Sequence, residues 1–175
     1  MRKNPKISII TVVKNGMPFL EDCLLSFKKQ KYKYKELIVV YSKSEDNTLD
    51  ILMKNKFIDK VIVDENSSNL YSSINKGILS CKGDLIGILH SDDIFYSDDI
   101  LNKIAANYIK NKFDIGYGDI IISQKNNLSK VIRTWTSSLK SNKSFKYGWM
   151  PPHTSLFISH DLKNLHYSNK YSISS

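Results

Sequence analysis

An apolar run, LIGIL (residues 85–89), ends in His90, Ser91, Asp92 and Asp93. Two adjacent carboxylates at the end of such a run repel each other and cost desolvation unless a cation compensates. A hard divalent ion, Mg²⁺ or Mn²⁺, is the natural partner, held by one or two carboxylates and shared with substrate phosphates. The same pair also suits a plain helix start with no metal. The four histidines, His90, His153, His160 and His166, show no metal-ligand spacing. His153 stands out because it sits in Pro151-Pro152-His153-Thr154, a stiff turn just before a strand-like segment. Other familiar chemistry is missing from the sequence. The seven glycines are scattered, so there is no P-loop and no Gly-x-Gly-x-x-Gly run. There is no Gly-x-Ser-x-Gly elbow. Two cysteines, Cys23 and Cys81, make neither a disulfide framework nor a thiolate zinc site.

The elements that must position these residues alternate. Residues 7–13 (ISIITVV) are β-branched and almost wholly apolar, as in a strand buried on both faces of a parallel sheet. A turn at Lys14-Asn15-Gly16 leads to a helix from about Pro18, with a stripe of Leu20, Cys23, Leu24 and Phe27. Strands are predicted at 37–41 and 60–64, and at 85–89. Ser44 is the expected cap of a helix carrying Leu49, Ile51 and Leu52. Leu70, Ile74 and Ile78 mark the next helix. Ser97 is the expected cap of another, with Asp98 and Asp99 in its first turn, where they suit the helix dipole. Residues 115–122 read as a strand with 131–135 as hairpin partner, and 154–159 as a last short strand. This order calls for an α/β fold, a mostly parallel sheet with helices on both faces. Ligands of such sheets bind beyond the carboxyl ends of the strands, which points at residues 14–16, 42–48, 65–69 and 90–93.

The 175 residues fit one domain, 1–175, and suffice for a core without staples. Composition is globular, with 41% hydrophobic and 25% charged residues. No apolar run reaches membrane-spanning length, and the N-terminus lacks the pattern of a signal peptide, so a cytoplasmic location is expected. The net charge is +9. Residues 120–160 carry Lys125, Lys130, Arg133, Lys140, Lys143 and Lys146 and no acid. Such asymmetry suits a polyanionic or membrane-surface partner, or simply a solvated lysine-rich face. Trp135, Phe145, Tyr147, Trp149 and Met150 interleave with these cations. The mixture suits a bilayer interface or lipid-diphosphate, single-stranded nucleic acid, or aromatics packed in a core.

Six stretches, in order and spacing, resemble the family 2 glycosyltransferases of the GT-A fold that build bacterial surface polysaccharides. They are ISIITVVKNG (7–16), ELIVVYSKSEDNTLDIL (36–52), LYSSINKGI (70–78), KGDLIGILHSDD (82–93), IGYGDI (115–120) and MPPHTSLF (150–157). The resemblance implies inverting, metal-dependent transfer of a sugar from a nucleotide-sugar donor to a saccharide or lipid-linked acceptor. It implies a nucleotide-binding half (1–93) and an incomplete acceptor-side half (94–175). Thr11 and Val13 would lie on the strand facing the nucleotide. Tyr41, Ser44, Asp46 and Asp92 would join the donor site, and Lys76 would either face the donor or be a surface lysine at the end of its helix. Asp93, with Asp92, would hold Mg²⁺ or Mn²⁺, and His153 would stand on the acceptor side. The family's general base would lie just beyond Ser175.

The pattern also departs from the family. Tyr41 replaces an Asp that reads the base, Ser42 and Lys43 replace glycines, and Ser67, Ser68 and Ser72 replace charged positions. These departures set a second expectation beside the first: a non-catalytic remnant that binds a nucleotide or a partner. On the acceptor side, residues 125–150 would make a peripheral contact at the inner face of the membrane, and no nucleic acid is expected.

Overall fold

The computed structural model describes residues 4–65, 69–125, 127–138, 146–162, 164 and 167–168. Four parallel strands form its centre: β1 (Ile7–Val13), β2 (Lys35–Tyr41), β3 (Lys60–Val63) and β4 (Leu85–Ile88). Two short strands extend the sheet, β5 (Ile115–Gly116) and β8 (Phe157–Ser159). The order is β3-β2-β1-β4-β8-β5, with β8 antiparallel to both neighbours. A separate two-stranded ribbon joins β6 (Ile120–Gln124) to β7 (Asn127–Trp135). The helices are α1 (Leu20–Lys29), α2 (Thr48–Lys54), α3 (Leu70–Ser80) and α4 (Ile100–Asn111).

Side-chain alternation sorts the core into two layers. Ile7, Ile9 and Val13 of β1 and Leu37, Val39 and Tyr41 of β2 pack under α1, α2 and α4. Ile10, Ile38 and Val40 face α3 through Ile74 and Ile78. Both faces are therefore covered, as the near-continuous apolar strands require. No helix among the described residues is long and apolar enough to cross a membrane.

Gly77 sets how closely α3 approaches β1. A Cβ there would lie 2.5 Å from Cγ2 of Ile10, a fully buried side chain. Gly77→Ala gains up to about 1 kcal/mol in helix propensity. It loses about 1–3 kcal/mol to overpacking, and the overpacking wins because Ile10 has nowhere to swing. The expected outcome is a melting temperature lowered by a few degrees, as read by thermal unfolding.

Several local expectations need correction. Helix α1 begins at Leu20 rather than Pro18. Ser44 does not cap α2, because the Asp46 carboxylate already accepts the Thr48 N–H at 3.0 Å. Helix α4 starts at Ile100 with Asp99 at its N-cap, so Asp98 and Asp99 precede the first turn. The Ser97 carbonyl instead accepts from the Gln30 side chain at 2.7 Å, which ties this loop to the end of α1. The 115–122 strand breaks at residues 117–119. Its first part stays in the main sheet beside β8, and its second leaves as the ribbon. The last strand begins at Phe157, since His153–Ser155 form a 3-10 turn.

Candidate functional site

The parallel strands end together. Val13, Tyr41 and Val63 are in register, and the loops after them share one edge with His90–Asp93 beyond β4. Strand β8 is antiparallel and pairs Phe157 with Gly87, so residues 151–156 reach the sheet from that same edge. This is why His153 arrives beside His90, with ring centroids 5.7 Å apart. Sequence spacing of 63 positions carried no sign of that pairing.

Asp92 is exposed and Asp93 half-buried. Burial raises the Asp93 carboxyl above its ordinary value; the neighbouring His90 opposes the rise and Asp92 adds to it. Among the described residues, neither carboxylate has a lysine or arginine partner. The Asp93 N–H bonds the His90 carbonyl at 3.0 Å, and that carbonyl also accepts from the Cys23 thiol at 3.2 Å. The thiol is pushed up to about 12, chiefly by burial and then by Asp93, so it remains protonated and serves as a fastener rather than a nucleophile. His153 is held below its ordinary value by burial and then by His90, which keeps its ring neutral near pH 7.

Two carboxylates and no further cluster fit a hard cation that completes its shell with water and phosphate oxygens. Among the described residues no group of three or more His, Cys, Asp or Glu side chains makes a closed cage. The donor set thus suits Mg²⁺ or Mn²⁺ delivered with a nucleotide and suits a structural zinc poorly.

The other expected site residues fall into two groups. Thr11 and Val13 are buried in the core, with the Thr11 hydroxyl against Cys23; they support the edge and present no side chain to it. Tyr41 is 7% exposed and packs under the loop. Its hydroxyl accepts the Ser44 N–H at 3.1 Å, so its ring does not offer a stacking face. The pattern Leu37, Val39, Tyr41 already placed it on the core side of β2. Ser44 and Asp46 bind the neighbouring loop. The Ser44 hydroxyl accepts from Asn15 N–H at 2.9 Å, and Asp46 accepts from Met17 N–H at 3.0 Å. The Thr48 hydroxyl and backbone N–H and the Met17 N–H hold the Asp46 carboxyl below its usual range, the hydroxyl foremost. Lys76 pairs with Asp64 at 2.5 Å.

The sequence placed His90 in the segment beyond β4 and Asn75 in the LYSSINKGI stretch without giving either a role, and Asp64, Tyr71 and Tyr167 were not singled out. Asp64 follows the apolar β3 just as Asp92 follows the β4 run, and that repeated signature was its available signal. It is 2% exposed and accepts from the Ser73 hydroxyl at 2.7 Å. The Asn75 carboxamide donates to the Tyr167 carbonyl at 2.9 Å and accepts the Tyr167 N–H at 3.0 Å. Tyr167 then stacks on Tyr71, with centroids 5.4 Å apart, and its hydroxyl bonds His153 Nε2 at 2.8 Å. Asn75 thereby latches the 167–168 segment onto the edge and, through it, orients His153. Asn75→Ala is expected to lose both bonds and to destabilise by about 1–3 kcal/mol. Tyr167→Phe keeps the latch and frees the imidazole, and a shifted His153 ring resonance with little change in melting temperature would show the difference. Ser67, Ser68, Lys140, Lys143, Phe145, His166 and residues 171–175 lie outside the described residues.

The family model described as Glycosyl transferase family 2 matches residues 8–168. An uncharacterized glycosyltransferase of Rickettsia typhi is 34% identical over 125 residues, covering 70% of this chain and 39% of that protein. A PGL/p-HBAD biosynthesis glycosyltransferase of Mycobacterium bovis is 30% identical over 126 residues, covering 70% of this chain and 49% of its own. The chain thus spans less than half the length of these relatives. Among solved structures, S. aureus TarS 1-349 in complex with UDP-GlcNAc superposes with a TM-score of 0.59 at 26% identity, over 63% of this chain and 33% of that one. The mannosyltransferase PcManGT from Pyrobaculum calidifontis, in complex with GDP-Man and Mn²⁺, gives 0.63 at 17% identity, over 92% and 46%. The second likeness is one of fold alone. The fold is of the GT-A type.

Proposed function

The chain belongs to glycosyl transferase family 2, and from that premise we propose that it transfers a sugar from a nucleotide-sugar donor to a saccharide or lipid-linked acceptor, with inversion and with a divalent cation, in surface-polysaccharide assembly at the cytoplasmic face of the membrane. The observation that carries the reading is the Asp92–Asp93 pair, without a basic partner among the described residues, at the carboxyl edge of β4. Residues 1–93 would form the donor half and 94–175 the acceptor side. Asp93, supported by Asp92, would hold Mg²⁺ or Mn²⁺. When bound, the cation supplies Lewis-acid stabilisation of charge on the departing diphosphate. The rest falls to the protein. The Cys23 and Asp93 bonds to the His90 carbonyl fix the carboxylate loop. Ser44 and Asp46 tie residues 15–17 to the loop after β2. His153, neutral and oriented by Tyr167, presents a hydrogen-bonding ring on the acceptor side.

A second reading, a nucleotide- or partner-binding remnant without turnover, is favoured by one observation: Tyr41, Ser44, Asp46 and Lys76 are already engaged within the protein. Thermal unfolding with nucleotides separates donor binding from its loss. At a hundred times its dissociation constant a ligand stabilises by about 2.7 kcal/mol. UDP or GDP with Mn²⁺ should therefore raise the melting temperature by roughly 5–10 °C, while either nucleotide with EDTA raises it little. No rise with any nucleoside diphosphate would remove the donor site.

A further inference from the structure

Among the described residues, neither core cluster includes a side chain of the β6–β7 ribbon. Ile121, Ile122, Leu128, Val131 and Ile132 are each 40–66% exposed. A two-stranded ribbon is marginal by itself in water, and a cluster of exposed aliphatics marks a surface awaiting a partner. We propose that the ribbon is a membrane-docking finger, in which Leu128, Val131 and Ile132 enter the interface of an anionic bilayer while Lys125, Lys130 and Arg133 engage its headgroups.

Charge complementarity selects this occupant. Residues 120–160 contain six basic residues and no acid. Lys125, Lys130 and Arg133 lie in or next to the two strands that carry these aliphatic residues, the combination that binds anionic interfaces by burial plus electrostatics. A second copy would set the same three cations against three more. Single-stranded RNA asks for free aromatic platforms. The ribbon's exposed apolar residues are aliphatic, and its Trp135 lies half-buried with the Arg133 guanidinium 5.2 Å above its ring. The tip is also well placed. Beyond Ile122–Arg133 the register slips, skipping Ile132 and then residues 128–130, and the Asn127 side chain accepts the Ser129 N–H at 3.1 Å. Lys125 reaches 5.5 Å from the Phe19 ring, beside the loop that leaves β1 at the carboxyl edge. Docking at this tip brings the bilayer next to the donor edge. That benefit rests on the sugar-transfer reading; the surface itself does not.

The test is sedimentation with vesicles of phosphatidylcholine containing 30 mol% phosphatidylglycerol, against pure phosphatidylcholine, with UDP and Mn²⁺ binding measured on the same samples. The expected result is binding to the anionic vesicles that weakens with salt. Lys125→Gln/Lys130→Gln/Arg133→Gln should weaken it about a hundredfold, at roughly fivefold per cation. Leu128→Ser/Ile132→Ser should weaken it at least tenfold with nucleotide binding unchanged. Equal binding by either variant would overturn the proposal. So would wild-type protein that stays in solution, or a dimer or an RNA complex that dissociates on Leu128→Ser/Ile132→Ser while vesicle binding is absent. Vesicle binding by a protein that ignores nucleotides would keep the finger and discard the donor site.

Discussion

Asp93→Ala is expected to cost at least about a hundredfold in the affinity for UDP or GDP measured with Mn²⁺. The argument is one of charge. A divalent cation between a carboxylate and a diphosphate contributes several kcal/mol, and each factor of ten needs only 1.4. Asp92, exposed at the outer end of the pair, retains a fraction of the binding. The same substitution should leave stability unchanged or slightly improved. The folded state raises the Asp93 carboxyl, mainly through burial, so ionised Asp93 is disfavoured in the fold at neutral pH. A group whose folded value is raised in this way costs stability above its unfolded value, and its removal relieves that cost. Lost nucleotide binding with an equal or higher melting temperature is the expected signature. An unchanged metal-dependent affinity in a folded variant would remove Asp93 from the site.

Lys76→Ala should act in the opposite way, on stability first. The Asp64 carboxylate that Lys76 meets has no exposed side-chain surface, while the lysine is 43% exposed. Deleting one partner of a fully buried pair costs about 3–5 kcal/mol. Solvent around Lys76 screens the interaction, which lowers the expectation to about 2 kcal/mol. The Ser73 hydroxyl stays on Asp64 and softens the loss further. Lys76→Ala/Asp64→Asn should recover part of the stability, because no buried charge is left without its partner. A lysine that instead served the donor would show the reverse pattern, with nucleotide affinity falling and the melting temperature holding. Denaturant unfolding of the two single variants and the double variant distinguishes the two.

Much of this architecture was legible because it is local. β1 and β4 are apolar runs that a two-sided parallel sheet demands, and α1 and α3 carry helical stripes that the structure buries in opposite layers. The Asp92–Asp93 pair was legible for the same reason, as charge at the end of an apolar run. Legibility failed where side chains answer to distant backbone. Asn75 and Tyr167 are 92 residues apart, and nothing in either segment specifies the other. His153 reaches His90 only because β8 runs antiparallel in a mostly parallel sheet. The β1–α1 and β2–α2 loops bind each other through Asn15, Gly16 and Met17 to Ser44, Asp46 and Thr48, so residues that looked available for a ligand are holding the loops together. Tyr41 is the instructive miss. Its place after Leu37 and Val39 put it inside, while the resemblance suggested a ligand contact.

On the proposed reading, the carboxyl edge of β4 is a metal-assisted nucleoside-diphosphate site. Calorimetric titration of UDP and of GDP into the protein, with Mn²⁺ and again with EDTA, tests it most directly. The expected result is saturable binding of at least one nucleotide with Mn²⁺ and a loss of at least tenfold with EDTA. A folded protein that binds neither nucleotide, or binds one equally well with EDTA, would contradict it.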